Sequence, residues 1–180
     1  MSKILGQGKF LRLVRDGRWE FVERVNARGA VAIVAITEDR RIVLTDQFRP
    51  AVGRRVIDLP AGLSGDVPGE EDEAFSASAL RELTEETGYV AKHLEHVADY
   101  TSSPGLTSEV ITIFVARDLL RKNSGGGVDG EDIEVFTPSI RGIDRWLKNQ
   151  VIAGKLIDGK VYAGLYFATR RAASRKSTER

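Results

Sequence analysis

A chemistry can first be read from Glu82, Glu85 and Glu86. If residues 74–87 form a helix, Glu82 and Glu86 lie four apart on one face and Glu85 sits three from Glu82, so three carboxylates share one patch. Like charges at that spacing cost roughly a few tenths of a kcal/mol per pair unless a cation separates them, and Arg81 is the basic residue near enough in sequence to do so. A hard divalent metal is the natural partner for such a cluster. Gly88 follows directly, where a helix stops in a left-handed cap, so the cluster falls in the last turn and the negative end of the helix dipole adds to the repulsion. Taken alone, a Glu-rich face is most simply a solvated helix surface; the wider pattern turns the reading toward chemistry.

The rest of the chain must position that patch. Its 180 residues, 42% apolar and 29% charged, suit one domain with a real core, and a formal net charge of +1 gives no reason to expect nucleic-acid or membrane partners. With no cysteine there are no disulfides, thiolate metal sites or cysteine nucleophiles, and two histidines leave little for a His-built site, so a metal would be held by oxygen. The N-terminus lacks the apolar stretch of a signal peptide and no run is long enough to span a bilayer, which makes a cytoplasmic location the expectation. Residues 9–14 and 18–25 read as extended runs joined at Asp16-Gly17, predicting an N-terminal β-hairpin. Trp19 and Phe21 share a face of its second strand; such a pair is core or a dimer contact before it is a base-stacking platform. Residues 29–36 and 41–48 read as paired central strands, 56–59 as a third, and 94–100 and 110–116 as two more. Residues 139–150 and 162–171 read as amphipathic helices, the first with Ser139 as N-cap. His93 and His96, on a strand edge, read as solvated. The expected organisation is a hairpin region at 1–28, a main domain at 29–171 and a flexible basic tail at 172–180.

Arg49, Arg54 and Arg55 cluster near strand ends, where cations facing a carboxylate patch would suit an anionic phosphate ligand; individually, Arg54 and Arg55 are ordinary surface arginines. The acidic, glycine-rich segment 123–132 has the composition of an idle linker, yet opposite the helix it could bring a mobile base to the patch.

Glu73, then seven residues, then Arg81-Glu82-Leu83-Thr84-Glu85-Glu86-Thr87-Gly88-Tyr89 resembles the signature E-x7-R-E-U-x-E-E-x-G-U of the Nudix hydrolases. The signature's glycine six residues before its first Glu meets Val67; if Gly62 plays that part, the loop 64–69 carries about five extra residues, a cheap insertion, and either Glu70 or Glu73 is the first Glu. Gln47-Phe48-Arg49 and Leu59-Pro60-Ala61-Gly62 resemble segments of the ADP-ribose and nucleotide-sugar pyrophosphatases in that superfamily. Ser103-Pro104-Gly105 with Ser108-Glu109 resembles a loop of the ADP-ribose group, and 131–135 its catalytic loop.

The resemblance implies an α/β fold, an α/β/α sandwich around a mixed sheet with the N-terminal antiparallel hairpin added. It implies Mg²⁺, with Mn²⁺ possible, held by Glu82, Glu86, Glu85 and the Ala61 carbonyl, with Arg81 orienting the carboxylates. Glu131 is the first choice for a general base or added metal ligand, with Asp129 and Glu134 as alternates. Arg49 and Glu109 become candidates for diphosphate and ribose contacts, and Arg54, Trp19, Phe21, Pro104 and Gly105 complete the candidate substrate surface. The implied reaction is hydrolysis of ADP-ribose to AMP and ribose 5-phosphate by a homodimer joined through its N-terminal strands. The alternatives are a GDP-mannose-type pyrophosphatase and a non-catalytic nucleotide sensor.

Overall fold

Residues 29–36 are apolar on both sides, and a strand built from them must be covered on both faces. In the computed structural model, which describes residues 2–69, 71–128 and 130–169, this is met by β4 (Gly29–Ala35). Ala30, Ala32 and Val34 pack into one core with Ile42, Leu44, Ile57, Leu59, Ile113 and Val161, while Val31, Ile33 and Ala35 pack into another with Ala79, Leu83 and Phe114. The two-residue period of the strand thus divides its side chains between two helix layers. Helix α1 (Phe75–Thr87) covers one side, and α3 (Gly159–Thr169) the other. Each fully buried Ile, Leu or Val contributes about 1.5–3 kcal/mol relative to exposure.

The remaining strands are β1 (Lys3–Gln7), β2 (Leu11–Asp16), β3 (Trp19–Arg24), β5 (Leu44–Arg49), β6 (Arg54–Asp58), β7 (Ala61–Ser64), β8 (Tyr89–Thr101), β9 (Val110–Arg121), β10 (Ile133–Phe136) and β11 (Leu156–Ile157). They form three sheets: β1-β2-β3, β10-β5-β6-β11 and β7-β4-β9-β8. The last two are mixed, with β4 parallel to β9 and β6 parallel to β11. Helix α2 (Ile143–Ile152) follows a single 3₁₀ turn at Ile140–Gly142. Among the described residues no helix is long and apolar enough to cross a membrane.

This is the mixed α/β architecture with an N-terminal antiparallel addition, but several local expectations change. The N-terminal unit has three strands: fully exposed β1 offers no apolar alternation to read, and it pairs with β2. Its tight turn is Gly17-Arg18 rather than Asp16-Gly17, because Asp16 pairs with Trp19 and Gly17 takes the positive φ of 57°. Residues 41–48 do not pair along β4; a single Ile36–Ile42 bridge joins them before β5 leaves for the other sheet. Strands β8 and β9 run longer than expected, to 13 and 12 residues. Ser139 is extended before the 3₁₀ turn and makes no side-chain cap bond. Helix α3 begins at Gly159, before the expected 162, and its expected end at 171 lies outside the described residues, as does the basic tail.

Candidate active site

Leu83 and Ala79, both fully buried, lock one face of α1 into the core. Glu82 and Glu86 then flank the buried stripe and face β7. Gly88 ends the helix at φ 72°, its N–H donating to the Thr84 carbonyl at 2.9 Å. The Glu86 carboxylate accepts from the Ala61 N–H at 3.0 Å, which ties the helix to the start of β7. One residue on, a Cβ built on Gly62 would lie 2.0 Å from the Glu82 carboxyl carbon, so only glycine lets strand and carboxylate approach this closely. That contact makes Gly62 the glycine that works with the helix acids, with 64–69 a loop hung between them.

Arg81 gathers the remaining acids. Its guanidinium donates to Glu82 at 2.9 Å, to Glu85 at 3.3 Å, to Glu73 at 3.3 Å and to the Leu63 carbonyl at 3.1 Å, with Asp66 at 3.8 Å. Glu73 also accepts from the Ser78 hydroxyl at 2.7 Å; Glu70, the other candidate for its place, lies outside the described residues. Burial alone would lower the Arg81 pKa, but the Glu73 bond and the charges of Glu82, Glu73 and Glu85 hold it above its usual value. Burial pushes Glu82 up to about 7, outweighing Arg81. Burial, joined by the charges of Glu82, Glu131 and Asp58, pushes Glu86 up to about 8 against the Ala61 bond. Among the described residues Glu86 forms no ion pair, and it is 6% exposed. No three acids or histidines among the described residues converge as a metal-holding group, and Arg81 sits between Glu73, Glu82 and Glu85.

Glu82 and Glu86 open onto a pocket of about 340 Å³ lined by groups of both charges. Arg24, Arg49 and Lys160 line it, with Ala61, Gly62, Asp58, Asp66, Gln47, Glu109 and Glu131. Lys160 lies 2.9 Å from both Asp58 and Asp158, and Arg49 lies 4.0 Å from Asp58. Burial raises the Asp58 pKa against the pull of Lys160; burial would lower Lys160, but the two aspartates hold it above its usual value. Arg24 donates to Glu109, joining β3 to the end of the loop 102–109.

Of the residues singled out in the sequence, the pocket gathers Ala61, Glu82, Glu86, Arg49, Glu109 and Glu131. Glu85 and Arg81 stand behind them, and Glu134 lies 3.8 Å from Arg55 outside the lining. Asp129 lies outside the described residues. Arg54, Trp19, Phe21, Pro104 and Gly105 do not line the pocket; Trp19 is 60% exposed on the N-terminal sheet, and the loop bearing Pro104 docks on β3 through Val22 bonds to Leu106 and Ser108. His93 and His96 are exposed, each beside an aspartate. The pocket also takes in Gln47 of the Gln47-Phe48-Arg49 segment, whereas Arg24, Asp58, Asp66 and Lys160 were not among the candidates read from the sequence.

The sequence profile of the NUDIX domain matches residues 26–160. The chain belongs to this family. It is 36% identical over 117 residues to a methanol dehydrogenase activator of Bacillus methanolicus, covering 65% of this chain and 60% of that protein. It is 41% identical over 104 residues to an ADP-ribose pyrophosphatase of Bacillus subtilis, covering 58% and 54%. It is 36% identical over 132 residues to a GDP-mannose pyrophosphatase of Cronobacter sakazakii, covering 69% and 64%. The match thus spans less than two thirds of the length of each of these relatives. A solved structure titled as an ADP compounds hydrolase superposes with a TM-score of 0.64 at 20% identity, over 82% of this chain and 80% of that one, and shares the Nudix fold.

Proposed function

We propose that this Nudix chain hydrolyses the phosphoanhydride bond of a nucleoside diphosphate derivative, with ADP-ribose giving AMP and ribose 5-phosphate, in the presence of Mg²⁺. One observation carries the reading: the buried carboxylate of Glu86 and the half-buried one of Glu82 line a single pocket with three cations, Arg24, Arg49 and Lys160. The donor set fits a hard divalent cation, because it is all oxygen and Glu86 is a buried acid without an ion pair among the described residues. Glu82, Glu86 and the Ala61 carbonyl would hold the ion, with Glu85 and Glu131 as further oxygens. When bound, the ion would neutralise diphosphate charge and lower the pKa of a water.

The chain's own groups do the rest. Arg49 and Lys160, both posted on Asp58, and Arg24, held by Glu109, offer N–H donors to diphosphate oxygens. Arg81 keeps Glu82 turned toward Gly62. Glu131, on the loop across from α1, takes the proton of the attacking water. The similarity to ADP-ribose pyrophosphatases supports the choice of substrate, and that to GDP-mannose pyrophosphatases keeps GDP-mannose as the second. The exposed apolar side chains Ile4, Leu11 and Trp19 of the first sheet, with Phe10 in the bend between β1 and β2, support assembly as a homodimer through that sheet.

The test is AMP release from ADP-ribose beside GDP-mannose, with Mg²⁺ and again with EDTA. Rapid, EDTA-sensitive AMP formation is expected. A preference for GDP-mannose would keep the pocket chemistry and change the substrate; turnover of neither would overturn the proposal.

A further inference from the structure

The segment 123–132 has the composition of a linker, yet three of its glycines, Gly125, Gly126 and Gly127, are docked against the rest of the chain. Gly125, Gly126 and Gly127 take φ of 70°, 121° and 84°, a run that L side chains resist. The Gly126 N–H donates to the Glu86 carbonyl at 2.9 Å and the Gly127 N–H to the Glu85 carbonyl at 3.1 Å. These carbonyls belong to the last turn of α1, where no helical donor remains for them. Space as well as φ demands glycine: a Cβ on Gly125 would lie 2.4 Å from the Thr87 carbonyl carbon, and one on Gly127 would lie 2.5 Å from Oε2 of Glu131.

The other end of the segment is clamped from a different strand. Arg55 of β6 donates from Nη1 to Asp132 Oδ2 at 2.7 Å, from Nε to Asp46 Oδ1 at 3.0 Å, and from Nη2 to the Asp46 carbonyl at 2.8 Å. Asp46 is fully buried, so the guanidinium is anchored from below while it holds the residue next to Glu131.

We propose that Gly125, Gly127 and Arg55 are positioning residues for Glu131: they strap its loop to the same turn that carries Glu85 and Glu86, so that the loop acid and the helix acids keep one geometry. The inference rests on the proposed function, in which Glu131 handles the proton. It replaces a base that arrives on a free loop with one whose backbone is docked in advance. A displacement of about 1 Å in such a group can lower turnover about 100-fold.

The experiment measures kcat and KM for ADP-ribose with Mg²⁺ for Gly125→Ala, Arg55→Met, Glu131→Gln and the double variant Gly125→Ala/Glu131→Gln. Amide hydrogen exchange at Gly126 and Gly127 is followed in parallel. Gly154→Ala, at φ 88° with open space around it, controls for backbone strain alone. The expected result is a fall in kcat of about 100-fold for Gly125→Ala and Arg55→Met with KM within threefold, and faster exchange at both amides in Gly125→Ala. The double variant should be no slower than Glu131→Gln, because Gly125 acts only through that acid. Wild-type kcat in Gly125→Ala and Arg55→Met beside a slow Glu131→Gln would overturn the strap and leave the proposed function standing; so would a double variant slower in full proportion. Wild-type kcat in Glu131→Gln would instead remove Glu131 from the reaction, and the strap with it.

Discussion

Glu86→Gln should abolish turnover and yet stabilise the protein in the absence of metal. Glu86 is an acid whose folded-state pKa stands at about 8, against 4.5 when unfolded, with burial the first cause and the charges of Glu82, Glu131 and Asp58 adding to it. The sign follows from proton counting: between those two values the folded state binds more protons than the unfolded one, so stability falls as pH rises through the interval. At about 1.4 kcal/mol for each pH unit, the whole interval amounts to about 5 kcal/mol. Glutamine keeps an oxygen for the Ala61 N–H at 3.0 Å and carries no charge, so it escapes this cost. Allowing for the imperfect fit of the new amide, we expect a gain of about 2–4 kcal/mol at pH 8, which raises Tm by about 5–15 °C in a chain of this size. At pH 4.5 the gain should vanish, because wild-type Glu86 is then protonated and equally neutral. The assay is thermal unfolding by circular dichroism in EDTA at pH 4.5, 6 and 8, repeated with Mg²⁺ at pH 8. Mg²⁺ should raise the Tm of the wild type and leave that of the variant unmoved. An equal loss of Tm at all three pH values would refute the reasoning, since it would show Glu86 acting as a packing group rather than as a buried charge awaiting a cation.

Gly62→Ala, which sets a Cβ 2.0 Å from the Glu82 carboxyl carbon, should displace that carboxylate and weaken Mg²⁺ binding at least tenfold by isothermal titration, while circular dichroism stays native. Lys160→Met removes the cation 2.9 Å from buried Asp58, which should cost about 3–5 kcal/mol of stability at pH 8 by urea unfolding, with much of it restored in Asp58→Asn/Lys160→Met. Leu83→Ala, at a fully buried position that seats α1, should lower stability by about 2–5 kcal/mol in the same urea assay. Replacing exposed Leu11 and Trp19 together by glutamate should convert the proposed dimer to a monomer by light scattering after gel filtration, with unfolding unchanged; a wild type that is itself monomeric would refute the dimer.

Helix α1 and its ending were legible because their causes are local. The spacing of Glu82 and Glu86, the glycine stop at Gly88 and the apolar residues Ala79 and Leu83 all lie within ten residues. The two-faced burial of β4 was legible as well, because an unbroken apolar run has one stable solution, a strand covered from both sides. The destination of β5 was not. Its residues alternate well enough to pair with β4 or with β6 and β10, and only the competing claims of β7 and β9 on the two edges of β4 send it to the other sheet.

The sequence by itself determined which groups could do chemistry: the acids of 81–88 and the all-oxygen donor set implied by the absence of cysteine, with Gly62 as a companion to the helix only a conditional reading. Tertiary structure decided what faces those acids. Arg24, Asp58 and Lys160 come from β3, β6 and the start of α3, and nothing in their neighbouring residues announces that they share a pocket with Glu86. It also turned the glycines of 125–127 from an apparent linker into a strap, because positive φ permits a flexible chain and a tightly docked one alike. What distinguishes the two is whether donors find the free carbonyls of α1, and that depends on contacts between residues about forty apart in the chain, which composition does not record.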